Sequence, residues 1–343
     1  MLLNGNEAFA YGAIDAGLEL FAGYPITPST DVMELLASEL EKYGGKFIIA
    51  ESELAAINIL MGAGATNAKT LTATSGPGFS LMQEGISYMA ADYIPAVILN
   101  VSREGAGLGD IPRSQGDYNQ MVKGGGNGDY HAIVLSCNSI KSCYEIPHLA
   151  FELSLRYRNP VIVTYDSDIG HMRENIMMPE IFEKVSHMDA DWSLLSSENV
   201  NYKNKIQNKY YHNDKYDDEL LDKYRMIEAN EQRYECFDTI DAETIFVAYG
   251  ICSRVCREVV NIARSQNRKV GLINLISLYP FPKKAFDKIK NLKKVVAVEL
   301  TVMEQMTCDV RTTINELYDR KIEVKKIGKM SVVPTVDELL GEV

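Results

Sequence analysis

Short apolar runs rich in β-branched residues recur along this chain, and each gap between them is long enough to hold a helix. The first five are KFIIA (46–50), KTLTAT (69–74), PAVILNV (95–101), HAIVLS (131–136) and PVIVTYD (160–166). Runs with little polar alternation suit strands buried on both faces, and parallel strands need crossovers of a dozen or more residues, usually helices. Residues 1–170 are therefore expected to form a parallel sheet with helices on both faces. From 171 to 240 the composition shifts to Asn, Asp, Glu, Lys and Tyr, ending in the charged run DKYDDELLDKYRMIEANEQRYE. This stretch reads as a linker with one exposed, solvated helix. A second alternation follows at 244–250, 269–277, 293–300 and 322–328, with helices expected at 252–265, 282–291 and 304–318. Residues 241–343 thus form a smaller α/β domain of ordinary size.

A formal net charge of -12 argues against nucleic acid as a partner, because phosphate binding needs a basic face. No charged-then-apolar leader opens the sequence, and no apolar run approaches the roughly 20 residues that cross a bilayer. A cytoplasmic protein with no membrane partner is expected. The six cysteines are scattered without a C-x-x-C pair, so reduced thiols, rather than a cluster or a metal site, are expected on this chain. His131, His148 and His171 have no metal-ligand spacing, and Met303 and Met306 read as packing residues.

Four stretches can carry chemistry. In AGYPITPSTD (22–31), Pro25 and Pro28 fix their own φ and bias Tyr24 and Thr27 toward extended backbone. Ser29 or Thr30 can cap the helix that follows, whose Val32, Leu35, Leu36 and Leu40 share a face and which Gly44-Gly45 terminates. The loop either holds Thr27 toward a ligand or only enters a helix. Glu53 falls in the first turn of a helix after a strand, where it either complements the dipole or acts as a functional acid. Gly76 and Gly78 flank Pro77 in a tight turn whose backbone can approach a ligand or a neighbouring loop. Arg103 ends a strand, where it suits a carboxylate or phosphate, or a structural ion pair. Gly105, Gly107 and Gly109 lack the dinucleotide spacing, and GGGNGD (124–129) lacks the lysine of a phosphate loop and reads as flexible or subunit-contacting.

In this order, GNEAFAYGAIDAG, GYPITPST, ESELAAIN, TSGPGFSLMQEGISY, IPAVILNVSREG, SQGDY, GGGNGDYHAIVL, YRNPVIV and INLISLYPFP resemble the alpha-type subunit of 2-oxoacid:ferredoxin oxidoreductases. The likeness is greatest to the branched-chain (3-methyl-2-oxobutanoate) type, with the 2-oxoglutarate type close behind. It implies a pyrimidine-binding-type thiamine diphosphate domain followed by a transketolase C-terminal-like domain. It also implies oxidative decarboxylation of a 2-oxoacid with coenzyme A to acyl-coenzyme A, carbon dioxide and reduced ferredoxin. In the family a glutamate hydrogen-bonds the aminopyrimidine ring and favours the imino tautomer that deprotonates the thiazolium carbon. Glu53, rather than Glu51, matches it. Thr27 matches the hydroxyl beside the substrate, Arg103 the arginine that meets its carboxylate, and Pro25 and Ile26 the cofactor side of the same loop.

No Gly-Asp-Gly occurs in the sequence, so the resemblance assigns the diphosphate and Mg²⁺ to a beta subunit. It assigns the [4Fe-4S] clusters to other subunits and implies ferredoxin-like and gamma-type subunits and ferredoxin as partners, leaving thiamine diphosphate shared across a subunit seam. Two positions depart from the pattern: Asn127 replaces a histidine in the Gly-rich block, and VELTVMEQ (298–305) replaces Glu-x-Asn-x-x-Gly-Gln. The alternatives are a pyruvate- or 2-oxoglutarate-specific member, half of a transketolase-like or dehydrogenase E1 system, and a non-catalytic scaffolding subunit.

Overall fold

The structure is a computed structural model that describes residues 1–196 and 216–343. Its first part runs β1 (Leu2–Asn4), α1 (Gly5–Asp15), β2 (Leu20–Gly23), α2 (Thr30–Glu39), β3 (Lys46–Ile49), α3 (Glu53–Gly64), β4 (Thr70–Thr74), α4 (Gly76–Leu81), α5 (Gln83–Ala91), β5 (Ala96–Glu104), β6 (Asp110–Arg113), α6 (Tyr118–Val122), β7 (Ile133–Ser136), α7 (Ile140–Tyr157), β8 (Pro160–Asp166), α8 (Ser167–His171) and β9 (Arg173–Asn175). The rest runs α9 (Tyr216–Asn230), β10 (Tyr234–Phe237), β11 (Thr244–Ala248), α10 (Gly250–Ser265), β12 (Val270–Leu275), β13 (Ser277–Tyr279), β14 (Lys294–Val298), α11 (Met306–Leu317), β15 (Glu323–Ile327) and α12 (Val336–Leu340).

The larger sheet has the order β13-β7-β8-β5-β4-β2-β3, with β6 paired to β5. All its pairs are parallel except β13 with β7 and β6 with β5. The smaller sheet, β10-β12-β11-β14-β15, is parallel apart from its β10 edge. The expected α/β layering is present, and every apolar run named above contains a strand. Strands β4, β5, β7 and β8 are buried almost throughout, as strands covered on both faces must be. Among the described residues no helix is long and apolar enough to cross a membrane.

Five local expectations need correction. The proline loop, whose stiff backbone reads as a junction between the first and second helices, instead follows a strand, β2, which lies between β3 and β4. Four residues are too few to show a period, and only pairing on both sides makes them a strand. Gly76-Pro77-Gly78 opens a helix rather than a tight turn, proline being well accommodated in a first helical turn. Ser29 does not cap α2 with its side chain; its hydroxyl donates to the Ile26 carbonyl at 2.8 Å and tightens the loop instead. The stretch 282–291 holds only a 3₁₀ turn, Lys283–Phe286. Its buried residues Pro282, Ala285, Phe286 and Ile289 keep the i, i+3, i+4, i+7 spacing that suggests a helix, yet only this one turn closes. The run 269–277 splits into β12 and β13, and β13 crosses to the larger sheet to pair with β7. Arg233 N–H donates to the Ser277 hydroxyl at 2.9 Å, and that hydroxyl donates to the Pro280 carbonyl at 2.7 Å.

Residues 197–215 of the expected linker lie outside the described residues. Its helix, α9, is not solvated all round: Tyr216, Leu220, Lys223 and Ile227 form a buried face, and the Tyr224 hydroxyl donates to the His131 carbonyl at 3.2 Å. His131 itself stacks on Tyr279 with ring centroids 4.1 Å apart, and burial lowers its pKa. Met306 is buried as expected, whereas Met303 is 73% exposed.

Candidate active site

Strand β2 has β3 on one side and β4 on the other, so the chain reverses its direction of travel across the sheet there. Open α/β sheets place ligands outside the carboxyl ends of strands at such a point. Four segments meet at this edge: the Tyr24–Thr27 loop after β2, the start of α3 after β3, the start of α4 after β4, and the end of β5.

Glu53 is the first residue of α3, with Ser52 as N-cap accepting the Ala55 N–H at 3.2 Å. Its side chain is 6% exposed, and among the described residues nothing hydrogen-bonds or ion-pairs its carboxylate. A buried carboxylate without a partner is costly. The contact that shapes its surroundings is with Gly78, where an added Cβ would stand 2.5 Å from Glu53 Oε1 and 2.3 Å from Thr74 Oγ1. The Thr74 hydroxyl is likewise buried and unpartnered. Glu51 is exposed.

Arg103 is 9% exposed and reaches under the proline loop. Its Nη1 donates to the Thr27 carbonyl at 2.7 Å and its Nη2 to the Leu108 carbonyl at 2.6 Å. An ion pair, one of the two sequence readings, does not form among the described residues. A Cβ on Gly76 would lie 3.4 Å from Arg103 Nε. The glycines at 76 and 78 thus admit the side chains of Arg103 and Glu53, which flank one helical turn. Within the loop, Pro25 and Thr27 are exposed, Ile26 is half-buried and Pro28 is buried. The Asn6 side-chain amide donates to the Pro28 carbonyl at 2.8 Å and ties the loop to α1.

Sequence reasoning missed the polar network behind Arg103. Asn100 Nδ2 donates to Asp117 Oδ2 at 3.0 Å. Burial raises the Asp117 carboxyl above its ordinary range, against the hydrogen bonds from Asn100 and Ser102 and the Arg103 charge. The one signal was an asparagine inside an otherwise apolar strand.

The neighbouring segment Ser114–Tyr118 covers the carboxyl ends of β11 and β14. The Gln115 N–H donates to the Leu300 carbonyl at 3.0 Å, Gln115 Oε1 accepts the Leu300 N–H at 2.9 Å, and Gln115 Nε2 donates to the Tyr249 carbonyl at 3.0 Å. The Tyr118 hydroxyl donates to Asp309 Oδ2 at 2.8 Å. Gln305, in the divergent VELTVMEQ block, accepts the Asn119 N–H and donates to the Gly116 carbonyl. Nearby, Asp166 Oδ1 accepts the Ile169 N–H and its Oδ2 the Ile251 N–H at the start of α10. Burial pushes the Asp166 carboxyl up to about 6.

This architecture is that of thiamine-diphosphate-binding α/β proteins. The whole chain superposes on 64% of a chain of the 2-oxoglutarate:ferredoxin oxidoreductase of Magnetococcus marinus, solved with 2-oxoglutarate, coenzyme A and succinyl-CoA bound, at TM-score 0.86 and 24% identity. It also matches a split-gene transketolase, an inactive beta4 tetramer, at TM-score 0.64 and 13% identity over 99% of this chain and 96% of that one. Both likenesses are of fold.

The chain belongs to the pyruvate flavodoxin/ferredoxin oxidoreductase family. Residues 11–238 match its thiamine-diphosphate-binding domain and 242–335 match core domain II of pyruvate:ferredoxin oxidoreductase. It is 44% identical to the ketoisovalerate oxidoreductase subunit VorB of Methanothermobacter marburgensis, over 99% of this chain and 98% of that protein. The VorB of Methanothermobacter thermautotrophicus is 42% identical over 90% and 88%. The 2-oxoglutarate synthase subunit KorA of Archaeoglobus fulgidus is 37% identical over 87% and 86%.

Proposed function

We propose that this chain is the alpha-type subunit of a thiamine-diphosphate-dependent 2-oxoacid:ferredoxin oxidoreductase acting on a branched-chain 2-oxoacid. The higher identity to the ketoisovalerate subunits than to the 2-oxoglutarate one supports the branched-chain substrate. The observation that carries the site is the carboxylate of Glu53, a residue 6% exposed, which has no partner among the described residues and lies beside a glycine cradle. That arrangement suits a flat ring bearing a nitrogen that shares a proton.

Bound thiamine diphosphate supplies the thiazolium that accepts the electron pair released on decarboxylation. Glu53 hydrogen-bonds the aminopyrimidine ring nitrogen and holds or releases the proton there. Gly78 leaves the space in which the carboxylate sits. Pro25 and Ile26 line the cofactor side of the loop, the Thr27 hydroxyl orients the substrate, and Arg103 takes the substrate carboxylate.

The diphosphate and Mg²⁺ belong to a beta subunit, and the [4Fe-4S] clusters that deliver electrons to ferredoxin belong to further subunits. Among the described residues no three His, Cys, Asp or Glu side chains converge as a metal site, and all six cysteines are free. Glu53→Gln in the reconstituted complex tests the reading. Assembly should persist by size exclusion, and reduction of an artificial electron acceptor that depends on 2-oxoacid should be lost. Wild-type turnover in that variant would discard the assignment.

A further inference from the structure

Leu108 has its side chain in solvent while its backbone is held by a buried cation. The residue is 82% exposed, yet its carbonyl oxygen accepts from Arg103 Nη2 at 2.6 Å. Nη2 and Nε share one edge of the guanidinium, and that edge offers a carboxylate two parallel N–H groups. On this edge the Leu108 carbonyl occupies Nη2, whereas Nε is shut away from water with no acceptor. A neutral carbonyl thus fills half of a site that a carboxylate would fill completely. The opposite edge is committed, through Nη1, to the Thr27 carbonyl.

The backbone around Leu108 turns through three glycines. Gly105, Gly107 and Gly109 have φ of +108°, +65° and +66°, the left-handed region where glycine alone carries little cost. A Cβ on Gly105 would stand 2.5 Å from Gly109 Cα, so two glycines pinch the base of the loop shut. At the tip, a Cβ on Gly107 would meet nothing within 4 Å. Among the described residues, the one side-chain bond that retains the tip is the one from Arg103.

We propose that the 105–109 loop is a strap released by substrate and that Leu108 is a specificity-determining residue. The 2-oxoacid carboxylate takes Nε and Nη2 of Arg103 and displaces the Leu108 carbonyl. The freed tip then folds so that the Leu108 side chain covers the substrate's hydrocarbon end. No covalent bond is made or broken in this exchange. It rests on the reading of Arg103 as the carboxylate-binding residue.

The test uses the reconstituted complex with 2-oxopropanoate, 3-methyl-2-oxobutanoate and 4-methyl-2-oxopentanoate. Leu108→Ala should raise KM about tenfold for the two branched acids, the scale of lost apolar contacts in a pocket. It should leave kcat within about twofold, and KM for 2-oxopropanoate nearly unchanged. In complex without thiamine diphosphate, where no turnover occurs, 3-methyl-2-oxobutanoate should alter amide exchange of residues 104–110 in wild type and not in Arg103→Lys. An equal change in KM for all three acids overturns the strap, as does loss of subunit assembly in Leu108→Ala, which would make Leu108 a subunit contact. If Arg103→Lys leaves KM for every acid unchanged, the parent assignment of Arg103 fails. If Arg103→Lys raises KM throughout while Leu108→Ala shows no selectivity, only the strap fails.

Discussion

Gly78 packs so closely on Glu53 that a Cβ at position 78 would stand 2.5 Å from Glu53 Oε1. Thr74 Oγ1, on the stiff side chain of a central strand, would be 2.3 Å from the same Cβ and has little room to yield. Gly78→Ala therefore forces the carboxylate to move. Turnover of the assembled complex should fall at least about tenfold, since small misplacements of reacting groups are expensive. The melting temperature of the isolated chain should drop by only a few degrees. Steady-state assays beside a thermal melt would separate the two effects.

Arg103 meets two carbonyls through two different nitrogens, so charge alone does not describe its role. Arg103→Lys keeps the charge and loses the fork. We expect kcat/KM for the 2-oxoacid to fall by about 10- to 100-fold, a loss on the scale of a charge-assisted hydrogen bond. Circular dichroism should be unchanged. An unaltered kcat/KM would remove Arg103 from the site.

The burial of Asp166 at the start of α10 makes stability depend on pH. Burial raises the folded pKa to about 6, above the unfolded value of about 3.9. The folded state then binds more protons between these values, so this group's contribution is complete below pH 4 and is lost as pH rises through 6. Asp166→Asn removes the titration. The wild-type minus variant difference in unfolding free energy should therefore be roughly 1 kcal/mol more favourable to wild type at pH 5 than at pH 7.5. Denaturant titrations of both proteins at the two pH values give that difference directly. A difference independent of pH would show that Asp166 does not titrate in this range.

On the reading proposed above, the isolated chain carries the pyrimidine-side acid and not the diphosphate site. Calorimetry should show thiamine diphosphate binding the isolated chain far more weakly than the assembled complex, and no turnover without partner subunits. Tight binding by the chain alone would relocate the diphosphate site.

The class of fold was legible because buried parallel strands need continuous apolar runs, and nine such runs each contain a strand. Glu53 and Arg103 were legible as positions at strand ends, and the ordered motifs assigned them expected roles. Strand β2 was not, because four residues such as LFAG become a strand only through pairing on both flanks. The crossing of β13 into the larger sheet was hidden for the same reason. Helix α9 looked fully solvated because a charged face and a buried face are told apart only by what packs on them.

By itself the sequence determined the layering, the order of the nine apolar strands and the residue types at their ends, since these follow from local periodicity and backbone restriction. Tertiary structure alone decided that Gly76 and Gly78 would seat Arg103 and Glu53 on either side of one helical turn. It also decided that Gln115 and Asp166 would fasten the two sheets together. Those relationships join residues from 25 to 185 positions apart, and proximity at that range is set by strand order and packing, which no local pattern encodes.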